Sequence, residues 1–124
     1  MECIITGTVI HGKKLGRSLG FPTANLLIDP SLEIANGVYA GSDALAGKPY
    51  GALVNIGYNP TVPTGGKRLL EAHLLDFSGD LYGRTISVEL VAFLRPEQKF
   101  ASLDELRERI EQDKTEIIKI LETC

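Results

Sequence analysis

The 124-residue sequence has only two cysteines, Cys3 and Cys124, almost at its two ends. That placement offers no metal-ligand spacing and no disulfide framework, and two reduced thiols of a cytosolic protein are the expectation. Long apolar runs are missing as well. Nothing approaches the roughly eighteen uninterrupted apolar residues of a membrane span. The start MECIITGTVIHGKK carries an acid at position two and no adequate apolar core, so it is not expected to be a secretory signal. A net positive charge is also lacking. The balance of 13 basic against 16 acidic residues gives −3, which argues against nucleic acid as the main partner. The composition, 44% apolar and 23% charged, is that of one soluble globular domain, expected in the cytoplasm.

One absence is local. Between Glu2 and Asp29 there is no acidic residue, while His11, Lys13, Lys14 and Arg17 all fall there. The field of this segment is positive although the whole chain is negative. Its residues GTVIHGKK fit the pattern G-x-x-x-x-G-K, but Lys14 stands where a P-loop needs Ser or Thr, and Gly16, Gly20 and Pro22 interrupt any following helix. A helix-dipole phosphate site is therefore excluded. Glycines at 12, 16 and 20 leave two readings: an anion-binding concavity of inward backbone N–H groups, or a surface loop with solvated lysines. Pro-Thr-Ala-Asn follows. If extended, Thr23 and Asn25 project to one face and present two hard, neutral oxygens of the kind magnesium accepts beside substrate phosphates. An Asx or Ser/Thr turn is the other use of these residues.

Short runs of strand character, bounded by Gly, Pro and Asn, cover residues 3–10, 38–42, 51–58, 69–77 and 82–94. In the last, Ile86, Val88, Leu90, Ala92 and Leu94 share one face by the two-residue period, and its length predicts a bend partway. Ser102-Leu-Asp-Glu105 has the form of a capping box. After it Leu103, Leu106, Ile110, Ile117 and Leu121 recur at helical spacing. Asp113 interrupts that stripe, where a hydrogen bond to a barrel loop would offset the cost of its burial. These elements predict a small antiparallel barrel with one long C-terminal helix. In LLEAHLLDF, alternation places Glu71 and His73 on one face among leucines, and Leu74 and Asp76 on the other. A carboxylate such as Glu71 is there paired, outward-facing or catalytic; His73 is read as a structural histidine.

The stretches GTVIHGKKLGRSLGFPTANL, GVYAG, GALVNIGYNPT, LLEAHLLDFSGDLYG and VELVAFLRPEQKFASLDEL, with Asp113 beyond them, together resemble the riboflavin kinase (flavokinase) family over nearly the whole chain. The resemblance implies a mainly β fold, a six-stranded antiparallel Greek-key barrel spanning about 1–95 with a helix over about 102–122. It implies ATP-dependent phosphorylation of the riboflavin 5′-hydroxyl, with Mg2+ or another divalent metal entering with ATP. By the same resemblance Glu71 is the catalytic base and Thr23 and Asn25 ligate the metal. Gly12, Arg17, Leu74, Asp76 and Tyr82 lie about ATP, and Arg95, Gln98 and Phe100 about the flavin. The expected partners are riboflavin/FMN and ATP/ADP, without nucleic acid or membrane, for a monomer or one module of a larger bifunctional enzyme. Because the match consumes almost the whole chain, an FMN adenylyltransferase domain, and with it FAD synthesis, is not expected. The alternative is a non-catalytic flavin-binding or sensory module on the same barrel.

Overall fold

A computed structural model describes residues 3–10, 23–45, 48–58, 65–75 and 81–122, with the side chains of Thr23 and of residues 44–49 left aside. Six strands and one helix follow in order: β1 (Cys3–Thr8), β2 (Thr23–Leu27), β3 (Gly37–Leu45), β4 (Lys48–Gly57), β5 (Leu69–Leu74), β6 (Thr85–Arg95) and α1 (Leu103–Glu122). All pairings are antiparallel, in the order β1-β6-β3-β4-β5-β2. An isolated bridge from Ile10 to Asn25, with the Ile10 N–H donating to the Asn25 carbonyl at 2.8 Å, brings the two outer strands together. The sheet is thereby nearly closed into a barrel, which removes most of the exposed edge.

Alternation along the strands divides the apolar residues between two cores. Ala24 and Leu26 of β2, Val54 and Ile56 of β4, Leu70, Ala72 and Leu74 of β5, and Ile86, Val88 and Leu90 of β6 fill the interior. On the outer face Val38, Ala40 and Leu53 form a second core with Leu75, Ile110 and Ile117 beneath α1. Ile117 is fully buried and contributes about 2–3 kcal/mol by leaving water.

β6 departs from the simple two-residue period. Against β3 the register runs Gly41↔Leu90, Ala40↔Ala92, Tyr39↔Phe93 and Val38↔Arg95, so Val91 and Leu94 are extra residues. These bulges supply the expected bend, and they also correct the shared face. Ile86, Val88 and Leu90 point inward, whereas Ala92 and Leu94 pack against the outer core under the helix. β2 is a further correction, since the sequence runs alone did not identify residues 23–27 as a strand.

The capping box holds in slightly altered form. The Glu105 N–H donates to Ser102 Oγ at 3.2 Å, while the Glu105 carboxylate accepts from the Ala101 N–H at 2.9 Å, one residue before the expected donor. Leu103 is 55% exposed and so does not belong to the buried stripe. Among the described residues no helix is long and apolar enough to cross a membrane.

Gly37 opens β3 with a φ of 149°. A Cβ there would stand 2.6 Å from the Phe93 ring and 2.9 Å from the Arg95 carbonyl oxygen. The ring could turn aside, but the backbone oxygen belongs to the paired strand. Gly37→Ala is therefore expected to lower unfolding free energy by about 3 kcal/mol, read as an earlier urea midpoint. An unchanged midpoint would show that β3 and β6 can separate there without loss.

Candidate active site

The antiparallel register of β2, β5 and β4 carries one row of polar positions across the outer face of the barrel. Asn25 stands opposite Glu71, and Glu71 stands opposite Asn55. Directly opposed pairs have Cβ atoms about 4.5–5.5 Å apart. The inward neighbours Ala24, Leu26, Leu70 and Ala72 fix the direction of this face, because they occupy the interior. Asn25 is only 5% exposed and Glu71 is half-buried. Thr23 lies two residues before Asn25 and is registered opposite His73. The carboxylate expected to act as base and the two residues expected to hold the metal thus occupy adjacent strands at adjoining positions.

Two functional candidates were missed. Asn55 flanks Glu71 on the side away from Asn25, and its Nδ2 donates to Glu97 Oε1 at 3.4 Å. The signal for Asn55 was present in GALVNIGY, where a lone amide interrupts an otherwise apolar strand. Glu97 carried no local signal. It approaches because the chain after β6 folds back over Gly57, where a Cβ would collide with its carboxylate.

His73 shares the face of Glu71, with Leu53 opposite it on β4. Burial pushes its pKa below the ordinary histidine value, and the nearby Glu71 opposes that shift without reversing it. The imidazole is therefore neutral at pH 7, as a structural histidine would be. A depressed folded-state pKa means that the unfolded chain takes up the proton first. This contribution to stability is present above the unfolded value of about 6.5 and is lost as pH falls below it. His73→Gln is expected to flatten the fall in melting temperature between pH 7 and 5. An equally steep fall in the variant would remove His73 as its source.

At the other end of the row, Val38 is registered with Arg95, the last residue of β6. Arg95 meets Asp113 through two hydrogen bonds, Nε to Oδ1 at 3.2 Å and Nη2 to Oδ2 at 2.7 Å. Asp113 is wholly buried, and Arg109 Nε approaches its Oδ1 at 3.3 Å from the preceding turn of the helix. The carboxylate expected to bond a barrel loop is instead held by a bidentate guanidinium at a strand end. Removing one partner would strand a buried charge, at a cost of about 3–5 kcal/mol. The Arg95 guanidinium also lies 5.9 Å from the centre of the Phe100 ring, within cation–π range.

The remaining assignments are scattered. Gln98 is exposed and Phe100 half-buried. Leu74 lies in the interior core, on the opposite face of β5 from Glu71, and Tyr82 is 52% exposed in the turn before β6. That turn is tied to the end of β1 by the Gly83 N–H and the Val9 carbonyl at 2.9 Å. Gly12, Arg17 and Asp76 lie outside the described residues. Among the described residues no three His, Cys, Asp or Glu side chains are grouped to hold a metal ion. A metal at Asn25 and Thr23 would depend on neutral oxygens.

The nearly closed six-stranded antiparallel barrel, with one helix across its outer face, thus carries a polar row running from Asn25 through Glu71 to Asn55. Residues 1–121 match the family model described as riboflavin kinase. The chain belongs to the riboflavin kinase (flavokinase) family. It is 49% identical over 110 residues to the bifunctional riboflavin kinase/FMN adenylyltransferase of Escherichia coli strain K12, covering 88% of this chain and 35% of the relative. The protein of the same description from Bacillus subtilis strain 168 is 42% identical over 120 residues, covering 93% and 37%. The chain thus spans about a third of the length of these curated relatives. Among solved structures, riboflavin kinase from Trypanosoma brucei has a TM-score of 0.71 at 26% identity, covering 96% of this chain and 79% of that one. A Streptococcus pneumoniae structure described as a macrolide-efflux protein has a TM-score of 0.79 at 33% identity, covering 92% and 38%.

Proposed function

We propose that this chain transfers the γ-phosphoryl group of ATP to the 5′-hydroxyl of riboflavin, giving FMN and ADP. The observation that carries the proposal is the register placing Glu71 directly across from Asn25 on the same outer face. Glu71 accepts the proton of the ribityl hydroxyl as the oxygen attacks phosphorus, and the bond to the ADP oxygen breaks in line. Asn25 and Thr23 fit a divalent ion that enters with ATP, since both carry neutral oxygens and neither would hold a bare ion tightly. Bound there, the ion would offset charge on the phosphate oxygens.

Gly12 and Arg17 belong to the acid-free segment suited to the phosphates, and Leu74, Asp76 and Tyr82 are assigned to the nucleotide. Arg95, Gln98 and Phe100 are assigned to the isoalloxazine side. There Phe100 supplies an apolar surface and the neighbouring polar groups fix orientation. Incubation with riboflavin, ATP and Mg2+, followed by chromatographic separation of flavins, is expected to yield FMN and an equal amount of ADP. Recovery of bound, unchanged riboflavin would leave a flavin-binding module and overturn the kinase reading.

A further inference from the structure

The mechanism above gives Asp113 no task, yet this carboxylate is entirely buried in a helix that otherwise turns apolar residues to the barrel. Burying it is costly, and a leucine on that stripe would pack without the cost. Its position relative to the chain after β6 suggests what it achieves. Residues Pro96, Glu97, Gln98 and Lys99 are all exposed, while the residues at either end, Arg95 and Phe100, are half-buried. Both ends meet at one guanidinium: Arg95 is forked by Asp113, and the same group lies against the Phe100 ring. The exposed residues therefore form a short loop whose base is set by Asp113. Midway along it, Glu97 accepts from Asn55, the cross-strand neighbour of Glu71.

We infer that Asp113 is a positioning residue: by fixing the Arg95 guanidinium it sets the 96–100 loop at the height above the barrel at which the flavin ring is received. This rests on the proposed riboflavin reading and adds to it a residue that touches neither substrate. A lysine at 95 could neutralise Asp113 but could not be oriented by two parallel hydrogen bonds, which is why a fork at a strand end serves as a mount. Arg109 provides the contrast. It approaches the same carboxylate from a side chain 32% exposed, and it does not carry the loop.

The test compares Asp113→Asn with Arg109→Gln, using riboflavin binding by quenching of flavin fluorescence and binding of a non-hydrolysable ATP analogue. Asp113→Asn keeps the shape but loses the paired charge, and is expected to weaken riboflavin binding by about tenfold or more while leaving the nucleotide within about twofold. Arg109→Gln should leave both affinities near those of the parent. If Asp113→Asn fails to fold, Asp113→Glu is measured the same way, since it keeps the charge but lengthens the arm by one methylene. Unchanged riboflavin binding in the folded variant, or equal weakening for both ligands, overturns the inference and leaves Asp113 a structural pin. Failure of the parent protein to bind riboflavin or form FMN would instead overturn the underlying function, so the two failures are distinct.

Discussion

Glu71→Gln is expected to lower the rate of FMN formation by about 10²–10⁴-fold with little change in the affinity for either substrate. Glutamine matches the shape of the side chain and retains a carbonyl acceptor, so strand pairing and packing survive while proton acceptance is lost. The expectation follows from placement. Both cross-strand neighbours of Glu71 are asparagines. Amides can orient a carboxylate without neutralising it. The loss should appear in single-turnover experiments, where product release is excluded, and at every riboflavin concentration. A variant retaining more than a tenth of the parent rate would show that solvent takes the proton and that Glu71 only lines the site. Comparable loss in binding of both substrates would point to damaged packing.

Local patterns made much of this architecture legible. The α1 start was readable because Ser102 and Glu105 act within one turn, and Ile110 and Ile117 because helical spacing keeps them on one face. The alternation in LLEAHL likewise assigns Glu71 and His73 to one side, as observed. What failed was nonlocal. The TANLL strand is only five residues long, and it is held by pairing with a partner more than forty residues away. The two extra residues of β6 are invisible to a strict two-residue period, because a bulge is specified by the facing strand. Asp113 could be recognised as anomalous from the helix alone, but its partner Arg95 becomes apparent only when the end of β6 is brought under α1. The same holds for Glu97, whose approach to Asn55 depends on the path of an irregular segment. The face that carries Glu71 was thus readable from one strand, whereas the pairing of Arg95 with Asp113 required the assembled fold.

Asn25→Leu carries the second large expectation. The side chain is almost buried and leucine is close to it in size, so the fold should survive at a cost of about 1–3 kcal/mol for polar partners the amide leaves behind. Barrel closure should also persist, because the bond to Ile10 uses the Asn25 backbone carbonyl and not its amide. The variant therefore separates the chemistry of one oxygen from the architecture that presents it. If that oxygen holds the ion accompanying ATP, the KM for the metal–nucleotide complex should rise by about 10–100-fold, with riboflavin binding near that of the parent. Higher Mg2+ at fixed ATP should recover part of the rate, and Thr23→Val should behave in the same direction. Without a carboxylate ligand, neither the parent nor the variant should bind Mg2+ appreciably in the absence of nucleotide, which calorimetry would detect. An Asn25→Leu protein with the parent's dependence on Mg2+ would remove this residue from the metal site. Strong Mg2+ binding without ATP would require an acidic ligand, Glu71 being the nearest in register, and would overturn a site built on neutral oxygens alone.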